Sequence, residues 1–545
     1  MQRRHFIQLG ALGLSSVISS RLTFAAAPGE RIINQPDMAW ALLNNQWVKL
    51  TGTGQQGFTY LDTRVWIKPD GNAQSVYINS PQSALQAVKL GWKYDTTRYH
   101  QSLGDHWERS YGDLSWKAPT AGIRYPWYIL LHDGANTACF GVKTGPATLC
   151  WWEADGNSLS LVMDTQSGGM PVKLGQRELH AASIVTYQNK PGENAYAALT
   201  SFCKVMCPKP RLPKQPVYGI NDWYFAYGNN SEKTIREQTA VMASFVTSTT
   251  NRPFSVIDDG WEQADDFSIS NAKFPDMHQM AETIKSLGMR PGLWTRPLIA
   301  RLDDPAHYLA PRILGRNNAK DPILDPTVPE TLERIRKNLK LYRNWGYEMV
   351  KHDYSSLDIF GRWGMQMQNG FTQPGWHFYD QTRTNAEITA DLYHTIREAA
   401  GDMYLIGCNT LSHLSAGVFE LNRIGDDTSG KEWPRTKKMG VNTLGFRLPQ
   451  HNTFYAADGD CVGLTKDIPW EKNKQWLQLL AESGSPLFIS ADTSSLTAEK
   501  KAAIKTAFAQ AAKIQPTGEP LDWMTNPFPT QWKLNHRTVT FNWDK

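Results

Sequence analysis

The sequence is short of several things, and each shortage excludes a class of function. After the N-terminal segment it contains no run of the roughly 20 consecutive apolar residues that a membrane span needs. It has no block of like charge: 57 basic and 52 acidic residues are scattered along 545 positions, for a formal charge of +5. A nucleic-acid partner, which calls for a basic stripe, therefore has no support. No glycine-rich nucleotide fingerprint occurs. Cysteine is scarce, with six residues at 139, 150, 203, 207, 408 and 461. None precedes Cys139, so an N-terminal lipid-modified cysteine is excluded. The closest pair, Cys203-x-x-x-Cys207, has no histidine near it, which favours buried thiols or one local bridge over a zinc site. No metal and no cofactor is expected.

What is present is an ordinary globular composition, 41% apolar and 20% charged, on a chain long enough for two or three domains. Tryptophan is over-represented, at 21 residues against 20 tyrosines and 20 phenylalanines. Indole combines a broad apolar face with one N–H donor and suits sugar rings, although most of these residues are expected to pack the core. The start, Met1-Gln2-Arg3-Arg4-His5-Phe6-Ile7, leads through a mildly apolar stretch to Ala25-Ala26-Ala27. Residues 1–27 are accordingly expected to be an export signal, of twin-arginine or ordinary secretory type, giving a periplasmic or secreted product of bacterial origin.

From about residue 30 to 212, short alternating runs such as Ser75-Val76-Tyr77-Ile78 and Ser158-Leu159-Ser160-Leu161-Val162-Met163 are broken by Gly, Asn and Asp. This pattern predicts a β-sandwich. The proline-rich join Pro208–Pro216 marks a boundary. Beyond it, from 217 to 512, apolar strands alternate with amphipathic stretches. Strands are predicted at 217–224, 254–258, 290–295, 348–353, 404–408, 419–423, 453–456 and 486–489. Eight such units predict a (β/α)8 barrel, whose site would lie at the C-terminal strand ends. Residues 513–545, with Thr538-Val539-Thr540-Phe541, predict a small β-appendage.

The predicted strand ends carry the polar groups. They are Asn221-Asp222-Trp223-Tyr224, Asp258-Asp259-Gly260-Trp261, Trp294-Thr295-Arg296-Pro297, Lys351-His352-Asp353, Cys408-Asn409 and Arg423-Ile424-Gly425-Asp426-Asp427. An aspartate after a strand is often only a turn former or helix cap. Several on one rim, with cations and tryptophan, instead match glycoside hydrolysis, in which one carboxylate attacks or activates water and another protonates the leaving oxygen. Only His352 sits at a strand end, with His413 and His451 in nearby loops, too few for a metal-dependent hydrolase.

The ordered motifs Asp-Asp-Gly-Trp (258–261), Trp-Thr-x-Pro (294–297), Lys-x-Asp (351–353) and Arg-Ile-Gly-x-Asp-Thr (423–428) resemble glycoside hydrolase family 36, the melibiases, related to family 27 within clan D. The resemblance spans roughly residues 217–490, and a preceding β-sandwich also fits that family. It implies a retaining α-galactosidase with Asp353 as nucleophile and Asp427 as general acid/base. It further implies that Asp258 and Asp259 accept hydrogen bonds from the 4- and 6-hydroxyls of galactose, that Lys351 reaches the 3- and 4-hydroxyls, and that Arg423 holds the 2-hydroxyl. Cys408-Asn409 resembles the family's cysteine position and is a candidate pocket lining, as are Trp223, Trp261 and Trp294. An oligosaccharide or glycoside is the expected partner, and oligomerisation is left open.

Strand alternation supports the same choice of carboxylates. Lys351 and Asp353 share a face from which His352 points away, and Arg423 shares one with Asp427 but not Asp426. Asp426 stays the rival acid, because a strand end can twist out of register. Lys351 should favour an ionised Asp353, whereas the acid/base should have a raised pKa. Two departures from the family pattern bear on the sugar: Arg296 stands where a small residue is expected, and Thr428–Trp433 replaces a more apolar run. Alternatives are a clan relative acting on an α-N-acetylgalactosaminide, a β-L-arabinopyranoside or an α-glucan, or a carbohydrate-binding protein without catalysis.

Overall fold

The computed structural model describes residues 32–54, 57–300, 322–367 and 372–545. The expected export segment lies outside them. The N-terminal part forms two antiparallel sheets, one of six strands and one of eight. Leu85–Lys93 is central in the first, paired with Met38–Leu43 on one side and Ser158–Asp164 on the other. In the second sheet Tyr128–His132 and Thr137–Val142 are buried along their whole length. Tryptophan fills the sandwich interior: Trp92 stacks on Trp152 with centroids 6.0 Å apart, and Trp107 meets Trp127 edge-on at 5.0 Å. Helix Ala195–Met206, capped by Asn194, then leads to the proline-rich join.

The next region is a parallel barrel. Its strands are Tyr218–Asn221, Phe254–Ile257, Arg290–Thr295, Met349–His352, Tyr404–Gly407, Leu421–Arg423, a divided seventh strand, and Leu487–Ala491. Strand seven explains the closure. Its first half, Ala456–Asp458, pairs with strand six, and its second half, Cys461–Leu464, pairs with strand eight. The chain turns between them at Asp460, whose φ is +74°. Sequence periodicity places this strand at 453–456. The observed strand begins where that range ends, because Thr453-Phe454-Tyr455 instead follows a short 3-10 turn ending at Gln450. Gly219 is needed in strand one: a Cβ there would lie 2.1 Å from the carbonyl oxygen of Phe254.

Helices Glu232–Ala243, Met277–Ser286, Pro329–Asn344, Asn385–Ala400, Trp470–Glu482 and Ala498–Ala511 cover the barrel. The N-termini of the first and fourth are capping boxes, Ser231 with Thr234 and Thr384 with Glu387. After strand five only Ser412–Ser415 is helical, and after strand six the chain runs through Trp433–Arg447 with a π-helical segment at Lys437–Asn442. The C-terminal sheet comprises Glu519–Pro520, Gln531–Leu534 and Arg537–Thr540. Its hairpin turns at Asn535-His536, both with positive φ, as a two-residue I′ turn requires. Trp433 anchors this sheet by donating its Nε1–H to the carbonyl of Trp543 at 2.7 Å.

All six cysteines are free and buried, so the thiol reading of Cys203 and Cys207 holds rather than the bridge. No helix among the described residues is long and apolar enough to cross a membrane.

Candidate active site

At the end of strand four the backbone adopts an unusual form. Tyr354 has φ +66°, a left-handed conformation that costs a non-glycine residue on the order of 1–3 kcal/mol. This turn lets the Tyr354 N–H donate to Asp353 Oδ1 at 2.7 Å, while the indole N–H of Trp294 donates to Oδ2 at 3.2 Å. The Asp353 carboxylate is thus gripped from strands three and four. Beside it, Lys351 Nζ reaches Asp258 Oδ2 at 2.6 Å, and Asn221 Nδ2 donates to the same oxygen at 2.6 Å. Burial opposes the Lys351 charge, but Asp258, together with Cys408 and Asp353 behind it, outweighs burial and holds the ammonium well above the usual lysine range.

Burial and the neighbouring Glu262, Asp258 and Asp353 push Asp259 up to about 8. Asp259 and Glu262 face each other as a hydrogen-bonded carboxyl pair, which disfavours ionising Asp259. Asp222, which accepts from the Asp258 N–H at 2.7 Å, is pushed up to about 7 by burial and by Asp258.

On strand six, Arg423 is 1% exposed and bridges Asp427 at 3.1 Å and Asp460 at 2.9 Å. Asp460 also accepts from the Thr428 N–H at 2.7 Å, the Thr428 hydroxyl at 2.8 Å and the Tyr224 hydroxyl. A further cation comes from the sandwich. Arg109 lies 2.8 Å from Asp426 Oδ1 and 3.4 Å from Asp427 Oδ1. Its neighbour Ser110 forms a parallel bridge with Gly425, through Ser110 N–H to Ile424 O at 2.9 Å and Asp426 N–H to Ser110 O at 2.8 Å. Cys408 lies between these groups, its Sγ 3.7 Å from Arg423 Nη1 and 3.8 Å from Arg109 Nη1.

Asp427 departs from the expectation of a raised pKa. Burial would raise it, but Arg109, Arg423, Lys351 and Arg435 together win and lower it to about 2. The side chain nonetheless keeps 38% of its surface accessible, whereas Asp426 keeps 15% and is tied up by Arg109 and by Arg435 at 2.9 Å. Of the two carboxylates, Asp427 is the more reachable for a ligand.

No protein-family model matches the sequence. Solved structures do match in fold. The α-galactosidase of Thermus thermophilus, solved with p-nitrophenyl α-D-galactopyranoside, aligns over 92% of this chain and 98% of its own at 17% identity, with a TM-score of 0.62. The family 36 α-galactosidase of Geobacillus stearothermophilus aligns over 92% of this chain and 79% of its own at 14% identity, with a TM-score of 0.59. The fold is that of the family 36 α-galactosidases. A cycloalternan-degrading enzyme from Trueperella pyogenes shares the fold more loosely, at 11% identity over 93% of this chain and 87% of its own, with a TM-score of 0.53.

Within this α-galactosidase fold, the structure corrects several candidate contacts. Trp261 is wholly buried, donates its Nε1–H to the Trp294 carbonyl at 3.0 Å and packs against Phe267, Tyr342 and Trp345, so it is core. Trp294 is 3% exposed and acts through its donor to Asp353 rather than as an open wall. Trp223 is half-buried, tilted against Tyr227 at 5.6 Å, and alone of the three keeps accessible surface. Asn409 is fully buried, donating to Glu108 and accepting from the Leu357 N–H at 3.0 Å, so it joins domains and does not line a pocket. Asp258 is 3% exposed, with both oxygens already engaged. His352 is a packed residue, between Tyr393 and Phe419, and burial lowers it to about 3.

Arg296 does not project freely. It pairs with the buried Asp358 at 2.6 Å and lies over the Tyr354 ring at 4.4 Å. Among the described residues no group of three or more His, Cys, Asp or Glu is placed to hold a metal ion. Sequence reasoning missed Arg109, Glu262 and Asp460. The second of these follows Asp-Asp-Gly-Trp directly and could have been noticed; Asp460 was hidden by ending strand seven too early, and Arg109 carries no local signal of its destination.

Proposed function

We propose that the protein is a retaining, exo-acting glycoside hydrolase that removes terminal α-galactosyl units. The observation that carries this reading is the convergence at one barrel rim of Asp353, held by two donors, with the paired Lys351–Asp258 and the Arg423–Asp427 pair. A carboxylate fixed by a backbone N–H and an indole N–H presents a lone pair for attack on the anomeric carbon. The C–O bond to the leaving group breaks as the Asp353 ester forms, and Asp427 supplies the proton to the leaving oxygen. Asp427, then ionised, takes a proton from water, which attacks the ester and frees the sugar with its original anomeric configuration. Asp259, Lys351 and Arg423 are the proposed sugar ligands, with Asp258 behind them holding the Lys351 ammonium in place. An oligosaccharide substrate is supported by the fold relatives solved with stachyose and raffinose.

Proton NMR of the first product formed from an α-galactoside tests the reading: α-galactose is expected, and β-galactose overturns it. A panel of nitrophenyl glycosides identifies the sugar, with an arabinopyranoside or N-acetylgalactosaminide preference pointing to a different clan activity. Export is proposed from the N-terminal Arg3-Arg4 segment and is checked by cell fractionation.

A further inference from the structure

The sandwich segment Asp105–Asp113 enters the barrel mouth, and its side chains are built into the rim. Glu108 is wholly buried there, accepting from the Gly364 N–H at 2.7 Å, the hydroxyls of Tyr111 and Ser356, and the Asn409 amide. That anchor fixes the next residue, Arg109, whose side chain is 5% exposed and whose guanidinium lies 5.3 Å from the Trp363 ring centroid. With Ser110 bridged to Gly425, the fork is held on both sides where it meets Asp426 and Asp427. A planar guanidinium with two oxygens to satisfy fixes direction as well as charge.

We propose that Arg109 is a positioning residue for Asp427, so that a cation delivered by the sandwich governs the pH range in which the barrel's acid/base serves leaving groups that need a proton. This rests on the assignment of Asp427 as acid/base. The charged and titratable groups around Asp427 and the two arginines paired with it come from every surrounding element. They are Arg109 from the sandwich, Lys351 and Tyr354 at strand four, Cys408 at strand five, Arg423, Asp426 and Arg435 at and after strand six, Asp460 in strand seven and Tyr224 after strand one. Among the cations, Arg109 is the strongest in lowering the Asp427 pKa, followed by Arg423. The three others belong to the barrel and to the proposed sugar site or its flank. Arg109 alone reaches the carboxylate from another part of the chain, so its removal leaves the sugar contacts in place. Holding Asp427 as a carboxylate suits the step in which it accepts a proton from water, and costs activity in the step in which it must donate one. That cost falls on substrates with poor leaving groups.

The test compares full-length wild type, Arg109→Met and Arg109→Lys by kcat/KM against pH on raffinose, a poor leaving group, and on p-nitrophenyl α-galactoside, which needs little protonation. With a neighbouring cation removed, the alkaline limb on raffinose is expected to move up by about one pH unit or more, while that on the nitrophenyl substrate moves less. Arg109→Lys should fall between. An unmoved limb, or an equal loss on both substrates, overturns the proposal. Activity is not the sole readout. In protein labelled with carboxyl-¹³C aspartate, with the Asp427 signal assigned by Asp427→Asn, the Asp427 titration midpoint should rise in Arg109→Met. Should the methionine variant not fold, Arg109→Lys is titrated instead, since an ammonium cannot span Asp426 and Asp427 as the fork does. A midpoint equal to wild type then overturns the proposal. Absence of wild-type turnover on both galactosides would instead reject the galactosidase reading, leaving the titration to decide the role of Arg109.

Discussion

The indole N–H of Trp294, at the end of the third barrel strand, donates to Oδ2 of Asp353, one strand away, at 3.2 Å. This single bond joins a buried aromatic to the carboxylate proposed as nucleophile and orients its second oxygen. A hydrogen bond to a charged acceptor contributes about 1.5–3 kcal/mol. Trp294→Phe keeps an aromatic ring in place but removes the donor. The expected outcome is a fall in kcat of roughly 10- to 100-fold with a smaller change in KM, read from steady-state kinetics on an α-galactoside. An unchanged kcat would show that the Tyr354 N–H alone suffices.

Asp460 carries a different burden. It is 3% exposed and compensates the buried Arg423 guanidinium while accepting from Thr428 and Tyr224. Asp460→Asn leaves a buried cation short of its nearest full charge, which costs about 3 kcal/mol or more. A lowered thermal midpoint and a raised KM are expected together, because Arg423 is also a proposed sugar ligand. Loss of stability with KM unaltered would separate the two roles.

At Glu108 the carboxylate accepts from four donors and has none to give. Glu108→Gln sets an NH2 group against donors and is expected to cost on the order of 2–3 kcal/mol. Limited proteolysis should show faster cutting near the join between sandwich and barrel. A digestion pattern identical to wild type would mean that the remaining contacts hold the sandwich in place.

Three buried histidines set an acid limit. Burial lowers His352 to about 3 and His413 and His451 to about 4. The unfolded chain protonates them near pH 6.5, whereas the folded protein holds them neutral. Stability from this source is therefore full above about 6.5 and is lost as pH falls toward 3–4. Neither ring nitrogen of His352 has a hydrogen-bond partner, so His352→Phe should tolerate the loss of both. Relative to its own value at pH 7, the variant should lose less stability at pH 5 than wild type, by about 2 kcal/mol. Parallel thermal midpoints at the two pH values would refute the assignment.

Much of the barrel was legible because its information is local. Strands such as Arg290–Thr295 and Met349–His352 are apolar, short and followed by polar residues, and the strand-end alternation that turns Asp353 and Lys351 away from His352 is a property of backbone geometry. The same rule put Arg423 and Asp427 on one side, and they do pair, although the strand stops at Arg423 and the turn after it carries Asp427. Tryptophan was legible only by type: its abundance predicted both packing and sugar faces, but whether an indole such as Trp261 is core depends on which neighbours close around it.

By itself, then, the sequence determined the succession of strands and helices and the placing of carboxylates and cations at strand ends, since periodicity and turn chemistry act over a few residues. Only the tertiary structure decided the charge state of the site. Arg109 and Asp427 are 318 positions apart along the chain, and Asp460 reaches Arg423 through a break in strand seven. Electrostatic interaction depends on distance and on burial, which are quantities that exist only once the chain has closed on itself.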